Sequence, residues 1–232
     1  MTTRKRPARK PARRAVDGER KRDATRRKLL ERALKLFQQR GVEATTMRDI
    51  AKASGMSLGA AYYYFPSKEA LVFAYYEDNQ AELETLVERA TGTVRERLGI
   101  IFHGKLETIR PQKKMLAAIV QRLIDPTDPV GAFSAQTRSV RDRSLAVFEA
   151  ALTGGSLPAT VIPFAARALW LMQMALMLVF VTDDSPHEQR THRLVDEALD
   201  MIVPMLPLLA TPMGAAMVDK INGALSRAGI AA

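Results

Sequence analysis

The chain reads as an all-α protein, a small N-terminal bundle of three helices followed by a larger helical domain. Three observations predict this. Apolar residues recur at helical spacing through almost every segment after residue 25, caps and proline stops punctuate them, and no alternating run or hairpin dipeptide argues for a strand. With 232 residues, there is enough chain for one small and one medium domain, each with its own core.

Taken in order, the first stretch is defined by charge. Residues 1 to 28 hold thirteen Lys and Arg against three acids, while residues 29 to 232 hold twenty-two of each sign, so the whole net charge of +10 sits at the start. RKRPARKPARR has little apolar surface to bury, and Pro7 and Pro11 favour extended backbone. Residues 1–22 are therefore expected to form a disordered basic arm. Its sign makes polyanions the natural partner, since each cation that neutralises a phosphate releases a counterion. Arginines of such an arm can also lie in a narrow minor groove. A plain solubility tail is the competing reading.

The next segment, TRRKLLERALKLFQQRG, places Leu29, Leu30, Ala33, Leu34 and Phe37 at helical spacing and ends at Gly41. Then comes TTMRDIAKASGMSLGAAYYYFPSKEAL, Thr45 to Leu71. Thr46 and Asp49 form a capping box, so a helix begins near Met47, and Gly55 sits where a left-handed residue ends it without a Cβ penalty. Ser57 caps a second helix through Leu58, Gly59, Ala60 and Ala61 to Tyr62-Tyr63-Tyr64-Phe65, which Pro66 stops. Ser67 caps a third. Two short helices joined by a tight glycine turn are the helix-turn-helix signature, whose second helix enters the major groove.

Together with the flanking helix, the aromatic run and the following SKEAL, these residues resemble the DNA-binding domain of the TetR family of bacterial transcriptional regulators. The resemblance spans about residues 25 to 75. It implies a helix-turn-helix domain over 23–75, an effector-binding and dimerisation domain over 76–232, and a double-stranded DNA operator as partner. Arg48 occupies the place from which family members reach a base, and an arginine bidentate to guanine gives about 1–3 kcal/mol of discrimination. Leu58, Gly59 and Ala60 offer almost no hydrogen-bonding side chains at the head of the recognition helix. Leu58 and Ala60 are expected to read thymine methyls, and Gly59 to admit close backbone approach. Thr46, Ser57, Tyr62, Tyr63, Tyr64 and Lys68 are expected on phosphates, with Tyr63 and Tyr64 ahead of Tyr62 because three successive tyrosines cannot share one face; Phe65 is expected in the core.

Beyond Leu71 the pattern predicts helices from Ser67 to about Ala90, then over Thr93–Ile109, Gln112–Ile124, Gly131–Leu152, Pro158–Val181 and His187–Leu206, with a last short one over Met213–Arg227. Loops fall at Asp125–Pro129, Thr153–Ser156 and Asp183–Pro186. The helix over Pro158–Val181 is apolar almost all round, which requires burial on more than one side. Its longest apolar run, Ala168 to Val181 broken only by Gln173, is shorter than the roughly 20 residues a membrane span needs, so a buried helix is expected and no membrane partner. By resemblance this helix and the next, carrying Leu194, Val195, Ala198, Leu199 and Ile202, would pack against a second copy. A two-fold protein expects a palindromic operator.

Family members commonly hold a small-molecule pocket in the second domain. The candidate lining here is Phe102, Leu106, Met115, Ile119, Phe133, Val140, Phe148, Trp170, Met174 and Met177, with Thr137, Ser144 and Gln173 as polar contacts. On the helix expected after Gly131, residues Phe133, Thr137, Val140, Ser144, Val147, Phe148 and Ala151 share a face. Eleven methionines favour an adaptable cavity for a small, mainly apolar effector, a fatty-acyl compound or an aromatic molecule. The same stripe also fits an ordinary core.

Other classes are set aside by absence. There is no cysteine, hence no disulfide, thiolate zinc site or cysteine nucleophile. The basic N-terminus lacks the apolar region of a secretory signal, and a cytoplasmic location is expected. His103 and Glu107 stand four apart on a helix, an ordinary pair before a metal site. No nucleophile triad, phosphate loop or paired-carboxylate motif appears, so neither an enzyme nor a cofactor is expected. The resulting reading is a ligand-responsive repressor, with a DNA-binding protein of broad specificity or an activator as the alternative.

Overall fold

The computed structural model describes residues 11–125, 127–155 and 157–227. Among the described residues ten α-helices follow one another, α1 (Pro11–Arg40), α2 (Met47–Ser54), α3 (Leu58–Tyr64), α4 (Lys68–Glu88), α5 (Val94–Ile109), α6 (Lys113–Ile124), α7 (Arg138–Leu152), α8 (Ile162–Thr182), α9 (Gln189–Ile202) and α10 (Pro212–Arg227), and no strand occurs. The chain divides into two compact units, Met1–Leu71 and Val72–Ala232. The division falls inside α4, ahead of the expected boundary after Tyr75.

The basic arm differs from expectation. Residues 1–10 lie outside the described residues, but from Pro11 onward the segment is the opening of α1. Pro11 stands at the first helical position, where its missing N–H leaves no bond unmade, and Ala, Arg, Glu and Lys are strong helix formers. High charge removed the apolar stripe without removing helix propensity.

In the first unit, α1 packs on α2 and α2 on α3. Leu29, Leu30, Ala33, Leu36, Phe37, Val42, Met47, Ile50, Ala51, Ala61, Phe65 and Leu71 are buried. Gly41 (φ 82°) ends α1 in the left-handed region, its N–H donating to Phe37 O at 2.9 Å. Its carbonyl accepts from the buried Thr45 hydroxyl at 2.7 Å, which fixes the path from α1 into α2.

The second unit is built around α5, which touches α7, α8 and α9, while α7 and α6 lie against α8. Leu98, Ile101, Phe102, Leu106 and Ile109 of α5 are buried with Met115, Leu116, Ile119, Phe148, Leu169, Phe180, Val195 and Leu199. The helix expected from Gly131 starts only at Arg138. Residues 127–137 turn instead, because side chains satisfy the backbone outside a helix: Ser134 Oγ donates to Pro129 O and Thr137 Oγ1 to Gly131 O, each at 2.7 Å. Gly131 is required there, since a Cβ would meet Asp125 O at 2.2 Å.

At 21 residues α8 exceeds the apolar run read from sequence, and by length and composition it is sufficient to cross a membrane. The run undercounted because helix and apolar run need not share ends. Ala165, Ala166, Leu169, Trp170, Gln173, Leu176 and Phe180 are buried within the unit, whereas Leu171, Leu178 and Val179 are each more than two-fifths exposed. The link to α9 is held by Asp183, whose carboxylate accepts from Ser185 N and Oγ and from Thr191 N and Oγ1 at 2.7–2.9 Å, and from Arg190 Nε at 3.2 Å. Burial opposes its charge, but these donors win and hold its pKa well below the ordinary range. The helix expected to Leu206 stops at Ile202, and Val203–Ala210 continues as 3-10 turns containing Pro204 and Pro207.

Candidate functional site

The leading turn of α3 is set by three local devices. At the start of α2, Thr46 Oγ1 accepts from Asp49 N at 3.1 Å while the Asp49 carboxylate accepts from Thr46 N at 3.0 Å, a complete capping box. At its end Gly55 (φ 69°) donates to Lys52 O and Met56 N donates to Ala51 O, the paired bonds of a Schellman stop. Ser57 then caps α3 through Ala60 N at 3.2 Å. The turn is therefore written in single residues, and it leaves Gly59 on the surface with nothing within 4 Å of where a Cβ would stand.

Arg48 is exposed on the first turn of α2, and Leu58 and Ala60 are half-buried. Of the tyrosines, Tyr63 is 67% exposed and Tyr62 47%, while Tyr64 is half-buried, so Tyr62 stands further out than expected. The Tyr64 ring meets the Tyr63 ring edge-on, centroids 5.3 Å apart. Phe65 is in the core, with the Arg26 guanidinium over its ring at 4.9 Å. Arg22, counted by sequence only as part of the arm, lies 5.5 Å from the Tyr63 ring and sets a cation beside the most exposed phenol.

Two expected phosphate contacts are engaged inside the unit. Lys68 Nζ donates to the carbonyls of Val42 (2.8 Å) and Glu43 (3.2 Å), so in this state it clamps the α1–α2 connection to α4. The Thr46 hydroxyl donates to Asp49 Oδ2 at 2.7 Å as well as capping the helix. Ser57 Oγ accepts one bond, and its hydroxyl proton has no partner among the described residues.

Within the second unit, a cavity of about 80 Å³ opens between α4, α5, α6, α7 and α8. Of the expected lining, Thr137, Val140, Ser144, Trp170, Gln173, Met174 and Met177 border it. Phe102, Leu106, Met115, Ile119 and Phe148 do not; they are buried in the surrounding core. Phe133 is 48% exposed in the turn before α7, its ring edge-on to Trp170, because the helix that would have aligned it with Thr137 does not form. Both expected hydroxyl contacts are used internally, Thr137 on Gly131 O and Ser144 on Gln80 Oε1 at 2.6 Å. Gln173 Oε1, by contrast, is buried without a hydrogen-bond partner.

Sequence reading missed Tyr75, Tyr76 and Asn79 of α4, Lys105 of α5 and Arg141 of α7, all of which border the cavity. One signal was available: Lys105 falls in register with Leu98, Ile101, Phe102 and Ile109 on the buried face of α5. Burial lowers its pKa to about 8.

The histidines form a relay that spacing alone did not reveal. His103 and His192 stack with their Nδ1 atoms 2.7 Å apart. His103 Nε2 lies 3.1 Å from Asp196 Oδ1, and Arg110 donates to His192 Nε2 at 3.3 Å. His192 Nε2 also lies 3.4 Å from Glu107 Oε1, so the stacked pair sits between Asp196 on one side and Arg110 with Glu107 on the other. Burial, then the neighbouring His103, lowers the His192 pKa.

Residues 29–75 match the family described as bacterial regulatory proteins, tetR family. An uncharacterized HTH-type transcriptional regulator of Bacillus subtilis, YuxN, is 37% identical over 86 residues, covering 34% of this chain and 30% of that protein. The HTH-type transcriptional repressor KstR2 of Mycobacterium tuberculosis is 35% identical over 98 residues, 38% of this chain and 45% of that protein. The chain thus spans less than half the length of these two relatives. In fold it is similar to a TetR-family transcriptional regulator from Syntrophomonas wolfei, with a TM-score of 0.64 at 18% identity over 78% of this chain and 95% of the other.

Proposed function

The chain belongs to the TetR family of bacterial helix-turn-helix transcriptional regulators, and on that premise we propose that it is a repressor that binds a palindromic operator as a homodimer and is released by a small, mainly apolar effector. The observation that carries the DNA-binding half is the exposed face of α3: its head is capped by Ser57 with Gly59 open to the surface, and nearer its end Tyr62 and Tyr63 are exposed, Tyr63 beneath Arg22. Exposed phenols next to a cation are poorly explained by packing and well suited to phosphate oxygens. Arg48 reads a base, Leu58 and Ala60 meet thymine methyls, and Ser57, Tyr62 and Tyr63 hold the sugar-phosphate rails with Tyr64 behind them. Thr46 and Lys68 shape the turn and add contacts only where they exchange internal partners for phosphate.

Dimerisation is supported by apolar surface on the last helices. Leu171, Leu178 and Val179 of α8, and Leu194 and Met201 of α9, are each exposed on two helices that touch one another, and exposed apolar side chains gathered on neighbouring helices suit an interaction site. Effector control runs through α4, one continuous helix from Lys68 to Glu88 that lends Tyr75, Tyr76 and Asn79 to the cavity. A ligand that moves these side chains shifts the helix leading out of the DNA-binding unit.

Selection of bound sequences from a random DNA library, with sedimentation of the selected complex, tests the reading. The expected outcome is one two-fold-symmetric sequence bound by two chains. A library returned without sequence enrichment, or a chain that stays monomeric on DNA, overturns it.

A further inference from the structure

The cavity carries more chemical information than an apolar pocket requires. Among the described residues, two cations border it, Lys105 and Arg141, and no carboxylate does. The Arg141 guanidinium is partly occupied, donating to the carbonyls of Ala132 (3.0 Å) and Ser134 (3.3 Å). Lys105 is 9% exposed and has no hydrogen bond or ion pair among the described residues; Glu82 acts on it only through space. A buried ammonium without a partner is strongly unfavourable, and side chains kept in that condition cluster at functional sites.

Two further polar groups at the same cavity are unsatisfied. The Tyr75 hydroxyl and Gln173 Oε1 are buried with no hydrogen-bond partner, and both residues border the space. A half-turn of the Gln173 amide would present N–H where the oxygen now stands. Of the remaining wall, Ile109, Leu116, Leu123, Val140, Met174 and Met177 are apolar, and Tyr76, Asn79, Thr137 and Ser144 already donate to Val130 O, Tyr75 O, Gly131 O and Gln80 Oε1. One end of the ligand therefore needs negative charge and hydrogen-bond acceptors, and the rest needs only to be greasy and compact.

Resting on the reading of this cavity as the effector site, we propose that the effector is an apolar carboxylic acid, a medium-chain or aromatic one, whose carboxylate pairs with Lys105 and accepts from Tyr75 and Gln173. Its chain or ring lies among the methionines and Trp170.

Trp170 is the one tryptophan of the sequence and borders the cavity, so its fluorescence reports occupancy in the full-length protein without DNA. Octanoate and octan-1-ol share an apolar body and differ in charge. At pH 7 octanoate is expected to bind at least tenfold more tightly than octanol, and Lys105→Met to reverse that preference. A second measurement needs no variant: as pH rises past about 8, where Lys105 loses its proton, octanoate affinity falls towards tenfold per pH unit while that of octanol stays level. Octanol bound as tightly as octanoate, or octanoate affinity flat from pH 7 to 9.5, overturns the acid and leaves the cavity an effector site. Binding of neither probe overturns both.

Discussion

Gly59→Ala separates the stability of the recognition helix from its use. Gly59 is the second residue of α3, its backbone is helical, and nothing lies within 4 Å of the added methyl. The substitution should therefore stabilise the fold by about 0.5–1 kcal/mol, since glycine within a helix is that much less favourable than alanine. For a chain of this length that raises Tm by about 2–4 °C at the upper figure. If α3 enters the groove with Gly59 against the DNA, as proposed, the same methyl would stand between the helix backbone and the groove, and the helix would have to withdraw and lose contacts around it. A tenfold loss of operator affinity, about 1.4 kcal/mol, is the expected minimum. Thermal unfolding and fluorescence anisotropy on a labelled operator measure the two effects, which should have opposite signs. A variant that binds within twofold of the parent would refute close backbone approach at Gly59, whatever its Tm.

Arg48→Ala should relax discrimination at one base pair per half-site by about 1–3 kcal/mol; a binding scan showing only uniform weakening would refute base reading. Asp183→Ala removes the acceptor for five donors at the α8–α9 link and should cost about 3 kcal/mol in urea unfolding, with a loss under about 1 kcal/mol counting against the network. His192 has a folded pKa below its unfolded value, so the unfolded chain takes up its proton first and stability falls as pH drops below about 6.5. The change in Tm between pH 7.5 and 5.5 should accordingly shrink in His192→Gln, and equal slopes in both proteins would exclude the relay as the cause.

The helix-turn-helix was legible because its information is local. A threonine with its aspartate, a glycine at φ 69°, a serine cap and a proline stop each act within four residues, so order along the chain is enough to specify them. Helix propensity in the basic segment was equally local, but it was outweighed by charge in the reading, and α1 starts at Pro11. The turn before α7 failed for the opposite reason. Ser134 and Thr137 fit a helix by pattern, and only their bonds to Pro129 O and Gly131 O divert them.

By itself, then, the amino-acid order determined the helical class, the three-helix reader and the residues that cap it, since these depend on neighbours a turn away. Tertiary structure decided which apolar residues fill a core and which border a space: Met115 and Phe148 are buried, Met174 and Met177 line the cavity, and their spacing is the same in kind. It alone brought Lys105 of α5 and Gln173 of α8 to one cavity and engaged Lys68 with the carbonyls of Val42 and Glu43. A helical period says which side of a helix is inside; what waits there is set by segments distant in sequence.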